Sequence, residues 1–336
     1  MYKNILVTGG SGFIGVNLIN YLSKKKYKIF NVDKISYCST KEKYIKLNKE
    51  KYFFFKGNIQ SKALIKKILR TRKIHTIVHL ASESHVDRSI EKPLEFIKQN
   101  IISTTTLYSS IKELLKEETI LSPNIIHVST DEVFGSITKK KSASENCIFS
   151  PNSPYSASKA STENIARSFV ETYGLKISIV RLCNNYGPYQ FPEKFIPTCI
   201  MSAINSKSIP IYGQGKNVRE WMYVLDSCKA LEKIIKNFQN KVNYNIGSNF
   251  TFTNLQIIKL LKKILKKDID TKYVFDRPGH DLRYSLNSNK FRKKFNWKPK
   301  YTFKKGLEKT IKWYINNNPW IKDTLKNYKG ERLGKI

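Results

Sequence analysis

Tyr155 and Lys159 stand four residues apart in Tyr155-Ser156-Ala157-Ser158-Lys159, a spacing that puts both side chains on one face of a helix. An ammonium beside a phenol favours the phenolate, bringing a group whose pKa is ordinarily about 10 toward the range of a general base. Alone, such a pair is also what many helix surfaces offer. Its setting argues for chemistry: the turn Ser150-Pro151-Asn152-Ser153-Pro154 starts a helix at Tyr155, and a β-branched run upstream ends in Ser129-Thr130. Phenol, ammonium and hydroxyl together could take a proton from an alcohol. Two acids follow that hydroxyl at once, in Thr130-Asp131-Glu132-Val133-Phe134-Gly135. Oxidising a carbinol requires no acid pair. Eliminating water between neighbouring carbons does, because one group takes the carbon-bound proton and another protonates the departing hydroxyl. Two carboxyls divide those roles if their pKa values are pushed apart. The plainer alternative is an acidic turn or helix cap.

A second constellation lies near the N-terminus. Gly9-Gly10-Ser11-Gly12-Phe13-Ile14-Gly15 follows an apolar run and opens a helical pattern, the context in which glycines let a dinucleotide pyrophosphate approach the backbone and the helix N-terminus. Asp33 ends the next strand-like run, where a carboxylate can accept hydrogen bonds from an adenosine ribose and disfavours a 2′-phosphate. NAD is therefore expected over NADP, although Lys34 beside it adds ambiguity.

The elements that must position these groups read as an alternation of strands and helices. Strands are expected at Ile5 to Val7, Ile29 to Val32, Phe53 to Lys56, Thr76 to Leu80, Ile125 to Ser129 and Ile177 to Arg181. Helical patterns lie near 13 to 25, 61 to 72, 93 to 118 and 155 to 173. This order predicts an α/β fold, a Rossmann-type doubly wound parallel sheet with a smaller C-terminal substrate lobe. We expect an NAD-binding domain over 1–181 with returning segments near 222–247, an interleaved substrate lobe over 182–320, where Pro and Gly punctuation thickens, and a tail over 321–336.

Composition narrows the classes. The 336 residues carry 61 Lys+Arg against 26 Asp+Glu, a formal charge of +35, which invites a nucleic-acid reading. Lys62, Lys66, Lys67, Lys259, Lys262, Lys263, Lys266 and Lys267 instead alternate with apolar residues at helical spacing, as solvated faces do, and no basic-aromatic motif accompanies them. No specific nucleic-acid partner is expected. No run approaches the roughly 18 apolar residues of a membrane span, and the glycine loop leaves no room for a signal peptide, so a soluble cytoplasmic protein is expected. Five scattered cysteines without a Cys-x-x-Cys pair predict neither disulfides nor zinc. His79, His85 and His280 have no metal-ligand spacing.

Several longer motifs carry a resemblance. His79-Leu80-Ala81-Ser82-Glu83-Ser84-His85-Val86-Asp87, Val128 to Gly135, Tyr155 to Ala160, Asn184-Asn185-Tyr186-Gly187-Pro188-Tyr189-Gln190-Phe191-Pro192-Glu193-Lys194 and Asp276-Arg277-Pro278-Gly279-His280-Asp281 resemble the dTDP-glucose 4,6-dehydratases, members of the extended short-chain dehydrogenase/reductases. The similarity runs from the N-terminus to about residue 315. It implies that Tyr155 takes the proton of the sugar C4 hydroxyl, which Thr130 also contacts, while the C4 hydride passes to NAD. It further implies that Glu132 removes the C5 proton, that protonated Asp131 gives a proton to the leaving C6 hydroxyl, and that hydride returns to C6, so the reaction is redox-neutral.

With Gly9, Gly12 and Gly15 of the loop, the resemblance assigns to the cofactor Phe13, Ile14, Asp33, Lys34, Ile35, Ser36, Asn58, Ile59, Leu80, Ala81, Ser82, Ser84, Gln99, Tyr155, Lys159 and Asn185. It assigns to the substrate Ser84, Thr130, Asn184, Lys194, Phe195, Pro210, Ile211, Tyr212, Arg219, Asn254, Asp276, Arg277, Pro278, Gly279 and His280. Arg219 and Lys194 suit a diphosphate, which requires fixed cations or N–H donors. The chain departs from the family at Asn58, commonly Asp, at Gln99, a smaller Thr, and at Ser82, commonly Ala; the segment between Gly135 and Pro151 is short. A homodimer is implied by analogy. Alternatives are the same reaction on UDP-glucose, since uracil and thymine differ by one methyl; a nucleotide-sugar 4-epimerase or decarboxylase, which has no use for the acid pair; and a non-catalytic NAD- or nucleic-acid-binding protein, for which erosion of the catalytic set would be expected.

Overall fold

The structure is a computed structural model that describes residues 3–45, 47, 50–138, 141–326 and 328. All six runs read as strands form strands: β1 (Lys3–Thr8), β2 (Tyr27–Asp33), β3 (Tyr52–Lys56), β4 (Thr76–His79), β5 (Asn124–Thr130) and β6 (Ile177–Leu182). The C-terminal half adds β7 (Asn184–Tyr186), β8 (Ile209–Tyr212), β9 (Val218–Tyr223), β10 (Asn243–Ile246), β11 (Thr251–Thr253) and β12 (Thr271–Val274). The main sheet has seven strands in the order β10-β6-β5-β4-β1-β2-β3, all parallel. Strand order reverses beside β1, which opens a crevice at the carboxyl ends of β1 and β4. This is a doubly wound Rossmann-type α/β sheet.

The pleat explains why its strands are apolar throughout. In β1, Ile5 and Val7 face one layer and Leu6 the other, and all three are fully buried. The first layer contains Val16, Leu18 and Ile19 of helix Phe13–Leu22 with Leu231 and Ile234 of helix Val224–Lys236. The second contains Ile65 and Leu69 of helix Lys62–Arg72, Leu107 and Ile111 of helix Ser103–Lys116, and Ala166 and Val170 of helix Pro154–Tyr173. A third core, with Ile200, Ile209, Ile211, Trp221, Leu261, Leu307 and Trp320, fills the space between a β11-β9-β7 sheet, a β12-β8 pair and the C-terminal helices.

Three elements differ from the sequence reading. The helical run over 93–118 is interrupted by a π-helical turn, Ile97–Ile102, that carries Asn100 into the interior. A short helix, Val86–Glu91, is capped by the His85 ring, which accepts the Arg88 amide; no apolar period announced it. The tail expected from residue 321 instead belongs in part to helix Asn318–Leu325, whose Trp320 and Ile321 are buried in the third core. Among the described residues no helix is long and apolar enough to cross a membrane. The lysines at 62, 67, 259, 263, 266 and 267 are exposed, and Lys62 and Lys66 pair with Glu113.

The glycine loop is sterically closed. A Cβ on Gly15 would stand 2.5 Å from the Gly9 carbonyl oxygen and 2.6 Å from the Gly10 Cα, both backbone atoms that cannot swing aside. Gly15→Ala is expected to cost about 1–3 kcal/mol, the usual cost of overpacking, seen as a lowered thermal midpoint.

Candidate active site

The crevice holds two adjoining cavities. The first lies over the carboxyl ends of β1, β2, β4 and β5, and Gly9, Gly12, Phe13, Ile14, Gly15, Asp33, Lys34, Ser36, Asn58, Ile59, Leu80, Ala81, Ser82, Ser84, Gln99, Tyr155 and Lys159 line it. Asp33 is buried, and its carboxylate accepts the Ser11 amide at 3.0 Å, the Ile35 amide at 2.8 Å and the Ser39 hydroxyl at 3.3 Å. Burial raises its pKa against the pull of those donors. Lys34 is not free beside it, since its ammonium meets Glu83 at 2.7 Å and the Gln99 side-chain oxygen at 3.1 Å. Ile35 does not line the cavity; its backbone takes a positive φ of 59° to deliver its N–H to Asp33.

The acid pair follows from how β5 ends. Thr130 leaves the sheet extended, its hydroxyl accepts the Glu132 amide at 3.3 Å, and a 3₁₀ turn, Asp131–Phe134, begins. The two acids part there. Asp131 is 3% exposed and lines neither cavity; one oxygen meets the Thr130 hydroxyl at 3.2 Å and the other has no partner. Burial, then Glu132 and Glu220, push its pKa well above the usual carboxylate range, which favours its protonated form. Glu132 faces the second cavity. Burial raises its pKa too, but Arg277, Arg219 and Lys194 pull the other way and favour the carboxylate.

Tyr155 and Lys159 share the face expected of them, but not the expected electrostatics. The Lys159 ammonium donates to the Val128 carbonyl at 2.9 Å, and burial lowers its pKa to about 8. Burial drives the Tyr155 phenol above its ordinary value, with only the Thr130 hydroxyl opposing. Desolvation therefore outweighs the phenolate-favouring pairing predicted from spacing. Asn100 braces this helix: its amide donates to the Ser158 hydroxyl at 2.8 Å and accepts the Glu83 amide at 2.7 Å, tying the π turn to the loop after β4.

The second cavity is lined by Ser84, Glu132, Asn184, Asn185, Lys194, Phe195, Pro210, Tyr212, Arg219, Asn254, Arg277 and His280. Ser84, Gln190, Glu193 and Lys194 line both cavities. Asn185, expected at the cofactor, is thus on the substrate side, and its amide is committed to the Cys183 carbonyl at 2.8 Å and the Ser227 hydroxyl. Ile211 points into the third core while its neighbours Pro210 and Tyr212 line the cavity. Asp276 lies outside it and holds His280 at 2.5 Å; Pro278 and Gly279 lie outside too, Gly279 packing on Asn152 in the turn before Tyr155. Arg219 is buried, donates to the Val218 and Asp281 carbonyls, and stacks 4.2 Å from the Tyr284 ring centroid. Asp87, which the sequence reading did not assign, binds Tyr212 at 2.7 Å and Arg277 at 3.3 Å across the cavity.

Both cavities present buried polar atoms without partners: the Ser129 hydroxyl and the Gln190 carbonyl oxygen in the first, and Asn184 Nδ2, Trp221 Nε1 and Arg277 Nε in the second. Such groups fit polar ligands that would satisfy them. The Gly12 Cα is open on the cavity side, its absent Cβ meeting only the Gly9 carbonyl at 3.3 Å, which leaves room for a pyrophosphate at the helix start. Among the described residues no group of three His, Cys, Asp or Glu side chains could hold a metal ion.

Known proteins share this architecture. The family model described as GDP-mannose 4,6 dehydratase matches residues 6–310. The dTDP-glucose 4,6-dehydratase of Escherichia coli is 38% identical over 359 residues, covering 99% of each chain. The chain belongs to the dTDP-glucose 4,6-dehydratase family. Solved dTDP-glucose 4,6-dehydratases superpose on it throughout: DesIV of Streptomyces venezuelae, with NAD bound, has a TM-score of 0.89 and 35% identity and covers 96% of this chain and 100% of its own. The Bacillus anthracis enzyme in complex with NAD gives a TM-score of 0.86 at 40% identity, covering 96% of this chain and 99% of its own. Of the adjacent acids at the end of β5, Glu132 lines the second cavity and Asp131 is buried against the Thr130 hydroxyl.

Proposed function

We propose that the chain converts dTDP-glucose to dTDP-4-keto-6-deoxy-glucose with NAD in the first cavity and the nucleotide sugar in the second. The observation that carries this is the adjacent acid pair at the end of β5 beside Tyr155, with Glu132 facing the second cavity and the charges of Arg277, Arg219 and Lys194, and Asp131 buried against the Thr130 hydroxyl. NAD, when bound, accepts the C4 hydride and gives it back at C6. Tyr155 takes the C4 hydroxyl proton, with the Thr130 hydroxyl holding that oxygen; since burial raises the phenol's pKa, this step requires that the bound ligands shift it back toward phenolate. Glu132 removes the C5 proton, made acidic by the neighbouring ketone, and Asp131 protonates the C6 hydroxyl as it leaves. Glu132 then returns a proton to C5. Lys159 holds the helix register against Val128. Arg277, Arg219 and Lys194 supply the charge that a diphosphate requires.

Residues 1–181 with the return over 222–247 form the cofactor domain in this reading, and 182–320 the substrate lobe. The enzyme acts in the cytoplasm as a homodimer and feeds deoxysugar synthesis of the rhamnose type. Incubating the protein with dTDP-glucose and with UDP-glucose separately tests the proposal. The 4-keto product is expected from dTDP-glucose at the higher rate. Faster turnover of UDP-glucose would reassign the nucleotide, and product from neither would overturn the dehydratase reading.

A further inference from the structure

Arg181 closes β6 and sits behind the catalytic groups, outside both ligand cavities. Its guanidinium is gripped by Glu163, with Nε 3.0 Å from both carboxylate oxygens and Nη2 2.6 Å from one of them. The rings of Phe134 and Phe149, themselves 5.9 Å apart, both lie to one side of it, at 4.9 Å and 5.3 Å from the guanidinium carbon. Phe134 ends the turn that carries Asp131 and Glu132, and Glu163 lies one helical turn beyond Lys159 on the helix that carries Tyr155. Both partners are buried at 3% or less of their side-chain surface.

We propose that Arg181 is a positioning residue that fixes the acid-bearing turn Asp131–Phe134 against the Tyr155–Lys159 helix, and so keeps the two halves of the reaction in register. The inference rests on the dehydratase reading above. One rigid planar group has two jobs: its N–H groups take the bidentate Glu163 carboxylate of the helix, and its charge lies over the ring at the end of the turn. Lysine offers neither the fork nor the plane. Oxidation at C4 belongs to the helix, whereas elimination across C5 and C6 belongs to the turn. A shift of the turn alone would therefore leave the first half competent and stall the second.

The test compares the unsubstituted enzyme with Arg181→Lys and Glu163→Gln, each with NAD bound, by circular dichroism, by steady-state product formation, and by absorbance of enzyme-bound reduced nicotinamide on mixing with dTDP-glucose. For variants that fold, we expect kcat to fall by up to about 10²-fold, the cost of misplacing a reacting group by roughly 1 Å, with KM within about twofold and reduced cofactor accumulating during turnover. A cavity of about 620 Å³, lined by Arg181, Glu163 and Phe149, shares no lining residue with either ligand cavity. Millimolar guanidinium is accordingly expected to restore part of the rate of Arg181→Ala and none of Arg181→Lys. The proposal is overturned if the folded variants turn over at wild-type rate, or if they lose rate only in proportion to lost folded protein with no reduced cofactor seen. Failure of the unsubstituted chain to form 4-keto product would count against the dehydratase reading instead.

Discussion

Glu132→Gln and Asp131→Asn are each expected to lower 4-keto product formation by about 10²–10⁴-fold, the usual contribution of one positioned acid or base, while leaving substrate binding nearly unchanged. Both replacements keep the side-chain shape, and the turn is held by backbone, the Glu132 amide on Thr130 and the Ser150 amide on the Val133 carbonyl. The loss therefore reports chemistry rather than collapse. Tyr155 and Thr130 remain, so the C4 oxidation persists and reduced cofactor is expected to appear on mixing with sugar and to decay slowly. The acid limb of the kcat profile follows Glu132: because burial raises its pKa, activity is expected to fall on acidification earlier than for an ordinary carboxylate. Arg277 is the largest opposing influence, so Arg277→Gln moves that limb to still higher pH. Initial rates across the acid range settle the sign. A limb that moved down in Arg277→Gln would contradict this arrangement.

What the sequence disclosed, and what it withheld, follow different physics. Strands buried on both faces are apolar runs between turns, so β1, β2 and β4 to β6 were visible, the edge strand β3 by its aromatic run, and the glycine loop because Gly15 leaves no space for any other residue. The acid pair was visible because two charges at the end of an apolar strand require a reason. Faces were not visible. Pro210, Ile211 and Tyr212 came as one segment from a resemblance, yet a strand sends alternate side chains to opposite sides, and Ile211 belongs to the core. Pro278-Gly279 beside Arg277 also ride along with a neighbour that lines the cavity, and Asn185, expected at the cofactor, lines the second cavity beside Asn184 instead. Contacts between distant segments were withheld altogether. Asp87 meeting Arg277 spans 190 positions, and Asn100 reaches Ser158 only because a π turn adds a residue that periodicity cannot foresee. The spacing of Tyr155 and Lys159 placed both groups, whereas their ionisation depended on burial that spacing does not carry.

Lys159→Met is expected to abolish turnover and to make the protein more stable. A lysine with an ordinary pKa of 10.5 in the unfolded chain and about 8 in the fold is held in its charged form at a cost at neutral pH. That difference of about 2.5 units corresponds to roughly 3 kcal/mol at about 1.4 kcal/mol per unit. Methionine removes the cost but also the bond to the Val128 carbonyl, worth about 1–3 kcal/mol when left unmade, so a net gain of up to about 2 kcal/mol is expected. The pH dependence separates this from better packing. Between about 8 and 10.5 the unfolded chain binds the proton that the folded one has released, so the unsubstituted protein gains stability as pH rises through that window. Lys159→Met lacks the titrating group and lacks that gain. The difference in thermal midpoint between the two proteins should therefore be largest at neutral pH and shrink toward pH 10, other groups cancelling in the comparison. A difference that stayed constant with pH would mean that Lys159 is not held at a cost.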